Sequence, residues 1–284
     1  MRGGRGDVRS RCVTAYQYLS FLTDYGLEDG FVAACHGVAA RIAPHARIID
    51  VTHLVQPGDV RRGAAVLAQT VGYLPPAVHV AVVDPGVGTV RRAVAVAAGD
   101  SILVGPDNGL LSWSIGALGG ARSAVQLTNG DLWLHPVSAT FHGRDIFMPV
   151  AAHLSAGLEL KRAGEEISVA DLVALPAPTS RLQDGAAEGE VMSIDRFGNV
   201  QLSIPAADAG RLGIGVGSAV IVRCGRRQFT VPYLDTFAAG APGEIVAFTD
   251  SAGLISLAIN AGDAAEQLGL PPGAHVRISQ AHGT

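Results

Sequence analysis

An α/β fold followed by a β-rich domain is what this sequence predicts, on three observations. From Tyr16 to about Arg162, apolar runs of strand length alternate with segments of helix length. From Gly189 onward, short β-runs follow one another closely. The chain has 284 residues, 48% of them hydrophobic, enough for a full core and two domains. Strands separated by helical segments imply a mostly parallel sheet covered on both faces. Closely spaced short strands imply a small barrel or sandwich.

The elements follow in order. Strand YQYLSFL leads into the loop TDYGLEDG, and a helix runs from about Gly30 to Ile42, closed by Pro44. Strand ARIIDVT precedes a helix from about Asp59 to Tyr73, closed by Pro75 and Pro76. Strand AVHVAVV ends on Asp84, and AVAVAA and SILVGPDNG follow, the latter feeding a short helix near Leu110 to Leu118. AVQL is another strand, and a helix runs from Arg144 to Ala156. This sets an N-terminal domain over 19–171, with 172–188 (rich in Pro, Ala and Gly) as a linker. Residues 189–284 then hold the runs EVMSID, NVQLSI, SAVIVRC, QFTVPY, EIVAFT, LISLAI and HVRIS, with one helix, GDAAEQLG, among them. Residues 1–18 carry four Arg against Asp7 and no apolar signal core, and are read as a disordered extension.

Composition narrows the function. The net charge of −4 argues against a nucleic-acid groove. No segment reaches the roughly 18 uninterrupted apolar residues of a membrane span. Cys12, Cys35 and Cys224 form no CxxC pair, and three scattered thiols suit a reducing, cytoplasmic setting. No His/Cys/carboxylate cluster has metal spacing, so neither a metal nor a cofactor is expected.

The chemistry concentrates where strands end. VVDPGVGTVRR, Val82 to Arg92, takes an apolar run to Asp84, turns through glycines, and reaches Arg91 seven residues later. FLTDYG delivers Asp24, and IIDVTH delivers Asp50 and His53. Carboxylates where buried strands open into glycine-rich loops line ligand crevices. Each has a plainer reading. Asp84 can satisfy its own turn amides, and Asp29 can cap the helix after it. PDNG is a turn signature, and Arg144 and Asp145 read as a scaffold pair. His142 in FHGRD stands at a helix mouth, which favours a neutral imidazole, or is a structural hydrogen-bonder. IDRFGN is a hairpin tip, or a base clamp in which Phe197 stacks and Asn199 pairs with an adenine edge. By spacing alone, Asp250 to Gly269 is nearly uninformative, although Ser251 and the Asn260–Ala261 backbone can bind polar ligand atoms.

Taken together, FLTDYGLEDG, DVTH with PGDVRRGA, VVDPGVGTVRR, PDNGLL, FHGRDIF, IDRFGN and DSAGLISLAINAG resemble the S-adenosylmethionine hydrolase (hydroxide adenosyltransferase) family, homologous to fluorinases and chlorinases. The motifs cover the chain in order from about Phe21 to Ile278. The resemblance implies an N-terminal mostly parallel α/β sandwich domain and a C-terminal small β-barrel domain. It implies a homotrimer, with S-adenosylmethionine held between the N-domain of one subunit and the C-domain of the next and cleaved to adenosine and methionine. By resemblance Asp24 matches the ribose-diol acid, and Asp29 and Asp195 match acids near the methionine ammonium. Phe197, Asn199 and the Ala261 backbone match the adenine clamp, and Ser251 the methionine carboxylate binder. Asp84, Arg91 and His142 match the set that handles the water.

Departures from the halogenase pattern bear on the nucleophile. Halogenases resembling this chain have tyrosine where Asp84 stands and threonine where Val87 stands. The fluorinase has a halide-holding serine at Gly143, an arginine at Ala252 and a ribose-walling tryptophan at Gly58. A carboxylate beside the nucleophile repels a halide, so water is the expected nucleophile. The rivals are a halide-using adenosyl transferase and a non-catalytic adenosine or adenosylmethionine binder.

Overall fold

The computed structural model describes residues 15–281. Residues 1–14, most of the expected extension, lie outside it, and the last residue of that extension, Tyr18, opens the first strand. Contacts divide the chain into two units between Leu175 and Pro176.

In the first unit the order is β1 (Tyr18–Thr23), α1 (Phe31–Ile42), β2 (Arg47–Thr52), α2 (Val60–Val71), β3 (Val78–Val82), β4 (Ala93–Ala98), β5 (Ser101–Pro106), α3 (Ser112–Ala117), β6 (Ala121–Gln126), α4 (Met148–Ser155) and β7 (Glu165–Ile167). They build a seven-stranded sheet, β2-β1-β3-β5-β4-β6-β7. The pairs among β2, β1, β3 and β5 are parallel, because a helix or long crossover intervenes. From β4 outward the pairing is antiparallel. Only Gly99 and Asp100 join β4 to β5, and so short a turn permits no other direction.

Successive side chains face opposite sides of this sheet. Phe21, Val80 and Val82 pack with Cys35, Val38 and Ala39 of α1 and Val150, Ala151 and Leu154 of α4. Leu22, Ala81 and Val83 pack on the other face with Leu67 and Val71 of α2 and with Leu110 and Leu111. A strand buried on both faces reads as an unbroken apolar run, as β3 does.

The second unit holds β8 (Ser180–Gln183), β9 (Ala186–Ile194), β10 (Val200–Pro205), α5 (Ala206–Arg211), β11 (Ala219–Cys224), β12 (Arg227–Pro232), β13 (Ile245–Thr249), β14 (Leu254–Ile259), α6 (Ala264–Leu268) and β15 (His275–Gln280). All its strand pairs are antiparallel, in the order β12-β11-β15-β9-β10-β14-β13, with β8 added to β9. Tyr233, just past β12, bridges Ala247 of β13, which brings the two ends of the sheet together into a nearly closed barrel. Val191, Leu202, Val222, Val231, Leu257 and Ile278 fill its interior.

Two expectations change. Residues 172–188, read as a linker, contain β8 and the start of β9. Asp184 (φ 49°) and Gly185 (φ 69°) form the two-residue turn between them, and a left-handed pair of this kind suits a tight hairpin. Two helices, not one, lie among the barrel strands, because α5 follows Pro205 at the end of β10.

Candidate active site

β3 carries the chain through the core and releases it at Asp84. The turn is closed by Val87 N–H to Asp84 O (3.1 Å) and Thr89 N–H to Gly86 O (3.1 Å). Gly88 holds φ 76°, and a Cβ there would fall 2.6 Å from the Ala139 carbonyl oxygen. A tight left-handed step against backbone is a position only glycine fills easily. The turn brings Arg91 back onto Asp84. Arg91 Nε donates to Oδ1 and Oδ2 at 3.0 and 2.9 Å, and Nη2 donates to Oδ2 at 2.5 Å. Both side chains are largely buried, 11% and 5% exposed, so the ion pair is little screened by solvent. Below it, Asn108 of the PDNG turn donates to Val83 O at 2.9 Å, and Arg92 pairs with Asp107.

Arg91 Nη2 also lies 2.7 Å from Nδ1 of His142. Arginine stays protonated and only donates, so Nδ1 accepts and the imidazole proton is assigned to Nε2. Burial lowers the His142 pKa, and the Arg91 charge lowers it further against Asp84 and Asp145. The neutral ring thus rests on burial and a neighbouring cation, where a helix mouth was expected. His142 opens one π-helical turn, Gly143–Phe147, before α4 begins at Met148. Arg144 and Asp145 do pair, at 2.6 Å, and Asp145 also accepts from Ser138 N–H at 2.8 Å.

Asp24 follows β1 and accepts from Gly58 N–H at 2.8 Å. Burial raises its pKa; the hydrogen bonds from Gly58 and its own amide act against this, and the charge of Asp84 adds to it. Two carboxylates therefore share this end of the sheet. Asp29 is exposed and does not cap α1: Gly30 holds the N-cap position with no side-chain hydrogen bond. Tyr25 was not anticipated. Its ring packs edge-on against Phe21, Phe31 and Phe141, and a Cβ on Gly143 would fall 2.0 Å from its hydroxyl oxygen.

The other candidate residues lie in the second unit. Asp195 builds the loop between β9 and β10. Its Oδ1 accepts from Phe197 N–H (2.8 Å) and Asn199 N–H (2.9 Å), and its Oδ2 accepts from Asn199 Nδ2 (2.8 Å). Phe197 is 68% exposed at the tip, with the Arg196 guanidinium over its ring, 5.5 Å from the ring centre. Ser251 is exposed in the turn after β13. There Asp250 accepts from Ala252 and Leu254 N–H and from Gln201 and Ser256. Ala261 holds a left-handed φ of 60°, a conformation that costs a residue with a Cβ about 1–2 kcal/mol. Elsewhere in the first unit the fold joins His36, Asp50 and His53, which the spacing did not reveal.

Two family models match the chain: the SAM hydroxide adenosyltransferase N-terminal domain over residues 19–164 and the C-terminal domain over 189–277. The chain belongs to the SAM hydroxide adenosyltransferase family. It is 56% identical to an (R)-S-adenosyl-L-methionine hydrolase from Salinispora tropica over 92% of this chain and 97% of that one. It is 44% identical to a protein of the same name from Thermus thermophilus, over 91% and 98%. A fluorinase from Nocardia brasiliensis is 30% identical over 92% and 96%. An uncharacterized conserved protein from Thermotoga maritima superposes with TM-score 0.86 at 37% identity, covering 92% of this chain and 99% of that one.

Two glycines of this site are tightly constrained. Gly143 has no room for a serine while Tyr25 stays in place. At Gly58, φ is 76° and the backbone N–H faces Asp24. Among the described residues no helix is long and apolar enough to cross a membrane.

Proposed function

We propose that this protein hydrolyses S-adenosyl-L-methionine to adenosine and L-methionine by in-line attack of water on ribose C5′. The observation that carries the reading is the partly buried Asp84–Arg91–His142 network, which offers a carboxylate where, by the resemblance, halogenases carry a phenol. The names of the relatives at 56% and 44% identity support the same substrate.

The sulfonium already bears a positive charge. As the oxygen–C5′ bond forms, the C5′–sulfur bond breaks and its electron pair neutralises the sulfur, so methionine leaves without protonation. The difficulty is the weak nucleophile. Arg91 orients the water and favours hydroxide character by its charge, and general-base help is worth about 10²–10⁴-fold. With His142 Nδ1 taken by Arg91 and its Nε2 protonated, His142 is a donor in this arrangement. Asp84 Oδ1 receives one hydrogen bond, from Arg91 Nε, and has a second lone pair to accept the proton. No cofactor enters this chemistry, because the leaving group is activated in the substrate itself.

Substrate binding is assigned by resemblance. Asp24 takes the ribose diol, and Asp29 and Asp195 the methionine ammonium. Phe197, Asn199 and the Ala261 backbone take adenine, and Ser251 the carboxylate. The same resemblance implies a homotrimer whose sites draw on the N-terminal unit of one subunit and the C-terminal unit of the next. A cytoplasmic setting, where the substrate is made and thiols stay reduced, completes the reading.

The deciding experiment is incubation with S-adenosylmethionine in heavy-oxygen water, followed by chromatography and mass spectrometry. Adenosine labelled at the 5′-hydroxyl is expected. Unlabelled adenosine rules out direct displacement by water. Abundant 5′-halo-adenosine in halide buffer supports the transferase reading, and unchanged substrate with tight binding supports a non-catalytic binder.

A further inference from the structure

His36, Asp50 and His53 are not used by the proposed reaction, yet three elements bring them together. His36 lies on α1, Asp50 on β2, the edge strand of the first sheet, and His53 just beyond that strand's end. Both imidazoles bring Nε2 close to one carboxylate oxygen: Asp50 Oδ1 is hydrogen-bonded to His36 at 2.9 Å and lies 3.1 Å from His53. The three ligand atoms all fall within 4.8 Å of one another.

His53 is the telling member. Its side chain is 3% exposed and packs edge-on against Phe21 at 4.9 Å. Its Nδ1 is hydrogen-bonded to Thr23 Oγ1 at 2.9 Å. Its Nε2 is buried without a hydrogen-bond partner, because the contact with Asp50 is off the hydrogen-bond line. A buried polar nitrogen left this way costs about 1–3 kcal/mol. When Nδ1 donates to Thr23, Nε2 turns a lone pair toward an anionic oxygen and His36, an arrangement that a cation resolves.

The structure assigns a divalent transition-metal site to His36 Nε2, Asp50 Oδ1 and His53 Nε2. Ligands about 2.0–2.1 Å from a metal stand about 3 Å apart when cis, close to the 2.9 and 3.1 Å seen here. Two imidazoles and one carboxylate suit Zn²⁺, Co²⁺ or Ni²⁺, whereas Mg²⁺ and Ca²⁺ prefer oxygen alone. The second hydrogen bond of His53, to Thr23, is the kind of outer-shell contact that orients a ligating ring. Asp50 and His36 are 42% and 35% exposed, so the remaining positions open to water. The His53 carbonyl also accepts from Gly26 N–H at 2.8 Å. A bound ion would therefore tie α1 and the end of β2 to the loop that carries Asp24. The site braces this loop and takes no part in the displacement at C5′.

The test uses the full-length chain, stripped with a chelator and exchanged into metal-free buffer. Zn²⁺ alone, Co²⁺ alone and Mg²⁺ alone are titrated by calorimetry, with thermal unfolding and the visible spectrum of the cobalt form as further readouts. One Zn²⁺ or Co²⁺ per chain is expected, with a rise in Tm. Mg²⁺ should not bind. His36→Ala, on a half-exposed helix position, should abolish the stoichiometric binding, as should Asp50→Asn. Thr23→Val should weaken it by about 10- to 100-fold. His53→Ala is avoided as the primary variant because its ring is core. Absence of saturable Zn²⁺ or Co²⁺ binding overturns the assignment. So does stoichiometric binding that survives both His36→Ala and Asp50→Asn, or Mg²⁺ binding as tight as Zn²⁺. None of these outcomes depends on adenosylmethionine turnover.

Discussion

At the residue scale the proposed reaction rests most heavily on Asp84. Arg91 holds it at three short contacts, so its position is set before any substrate arrives. Asp84→Ala should lower kcat by roughly 10²-fold or more while leaving adenosylmethionine affinity nearly unchanged, because the side chain acts on the nucleophile. Asn199→Ala should do the reverse, weakening binding more than turnover, since adenine is held alike in ground and transition states. Calorimetry and steady-state rates on both variants separate the two roles, and equal binding losses would contradict them. Gly143→Ser probes a third residue. The added Cβ would meet the Tyr25 hydroxyl 2.0 Å away, so Tyr25 must swing out of its aromatic cluster. Activity should fall without a gain of halide transfer while Asp84 remains, and appearance of 5′-chloro-adenosine in this single variant would show that Gly143, not Asp84, excludes the halide.

At the scale of elements, turns decide where these side chains arrive. The DPGVG turn returns Arg91 to Asp84, and the DG turn of the β8–β9 hairpin adds a strand to the barrel. The two turns are under different constraints. Gly88 faces backbone at 2.6 Å, whereas nothing lies within 4 Å of a Cβ on Gly185. Gly185→Ala should therefore cost only the left-handed backbone penalty, about 1–2 kcal/mol. Gly88→Ala should cost more and should also depress turnover by moving Arg91. Denaturant unfolding and kcat on the two variants test this, and an equal loss of activity in both would remove the special role given to the DPGVG turn. At α6, Asp263 accepts from Glu266 N–H at 2.8 Å. The same helix start touches the candidate adenine loop through Ala265 N–H to Gly198 O at 2.9 Å, so one capped helix braces the loop that presents Phe197.

Stability and assembly belong to the whole molecule. His79 is fully buried in β3 with Ser20 Oγ 2.8 Å from its Nδ1, and burial lowers its pKa to about 4. The folded state thus resists protonating a ring that the unfolded chain protonates near 6.5. Between about pH 6.5 and about pH 4, unfolding takes up a proton there, so stability falls as pH falls, by at most about 1.4 kcal/mol per pH unit. His142 and His153, lowered chiefly by burial, act in the same direction. His79→Asn should flatten the decline, measured by denaturant unfolding at a series of pH values, and an unchanged slope would remove His79 as its cause. Assembly is tested by mixing. Asp84→Ala and Asn199→Ala chains are unfolded together and refolded so that the proposed trimers form mixed, then assayed at a substrate concentration too low for either variant alone to turn over appreciably. If sites are shared between subunits, some will pair two intact halves and activity will return in part. Verified mixed trimers without recovered activity would refute the shared site.

The alternation of apolar runs with helical segments, and the later succession of short β-runs, were legible from Tyr16 onward because backbone periodicity and turn residues act locally. Asp24, Asp84 and Arg91 were legible for the same reason, each standing where a buried strand ends or just after its turn. The linker reading of 172–188 overlooked a local signal, the Asp184–Gly185 turn, under a composition that looked irregular. Other features had no local signal at all. Tyr25 against Gly143, the Gly58 N–H on Asp24, and the approach of His36 to Asp50 join residues 14 to 118 positions apart. Such contacts depend on which strands pair and how far a helix stands from its sheet. Long-range packing alone decided them, whereas Asp195 builds the loop on which Phe197 and Asn199 stand through hydrogen bonds only two and four residues along the chain.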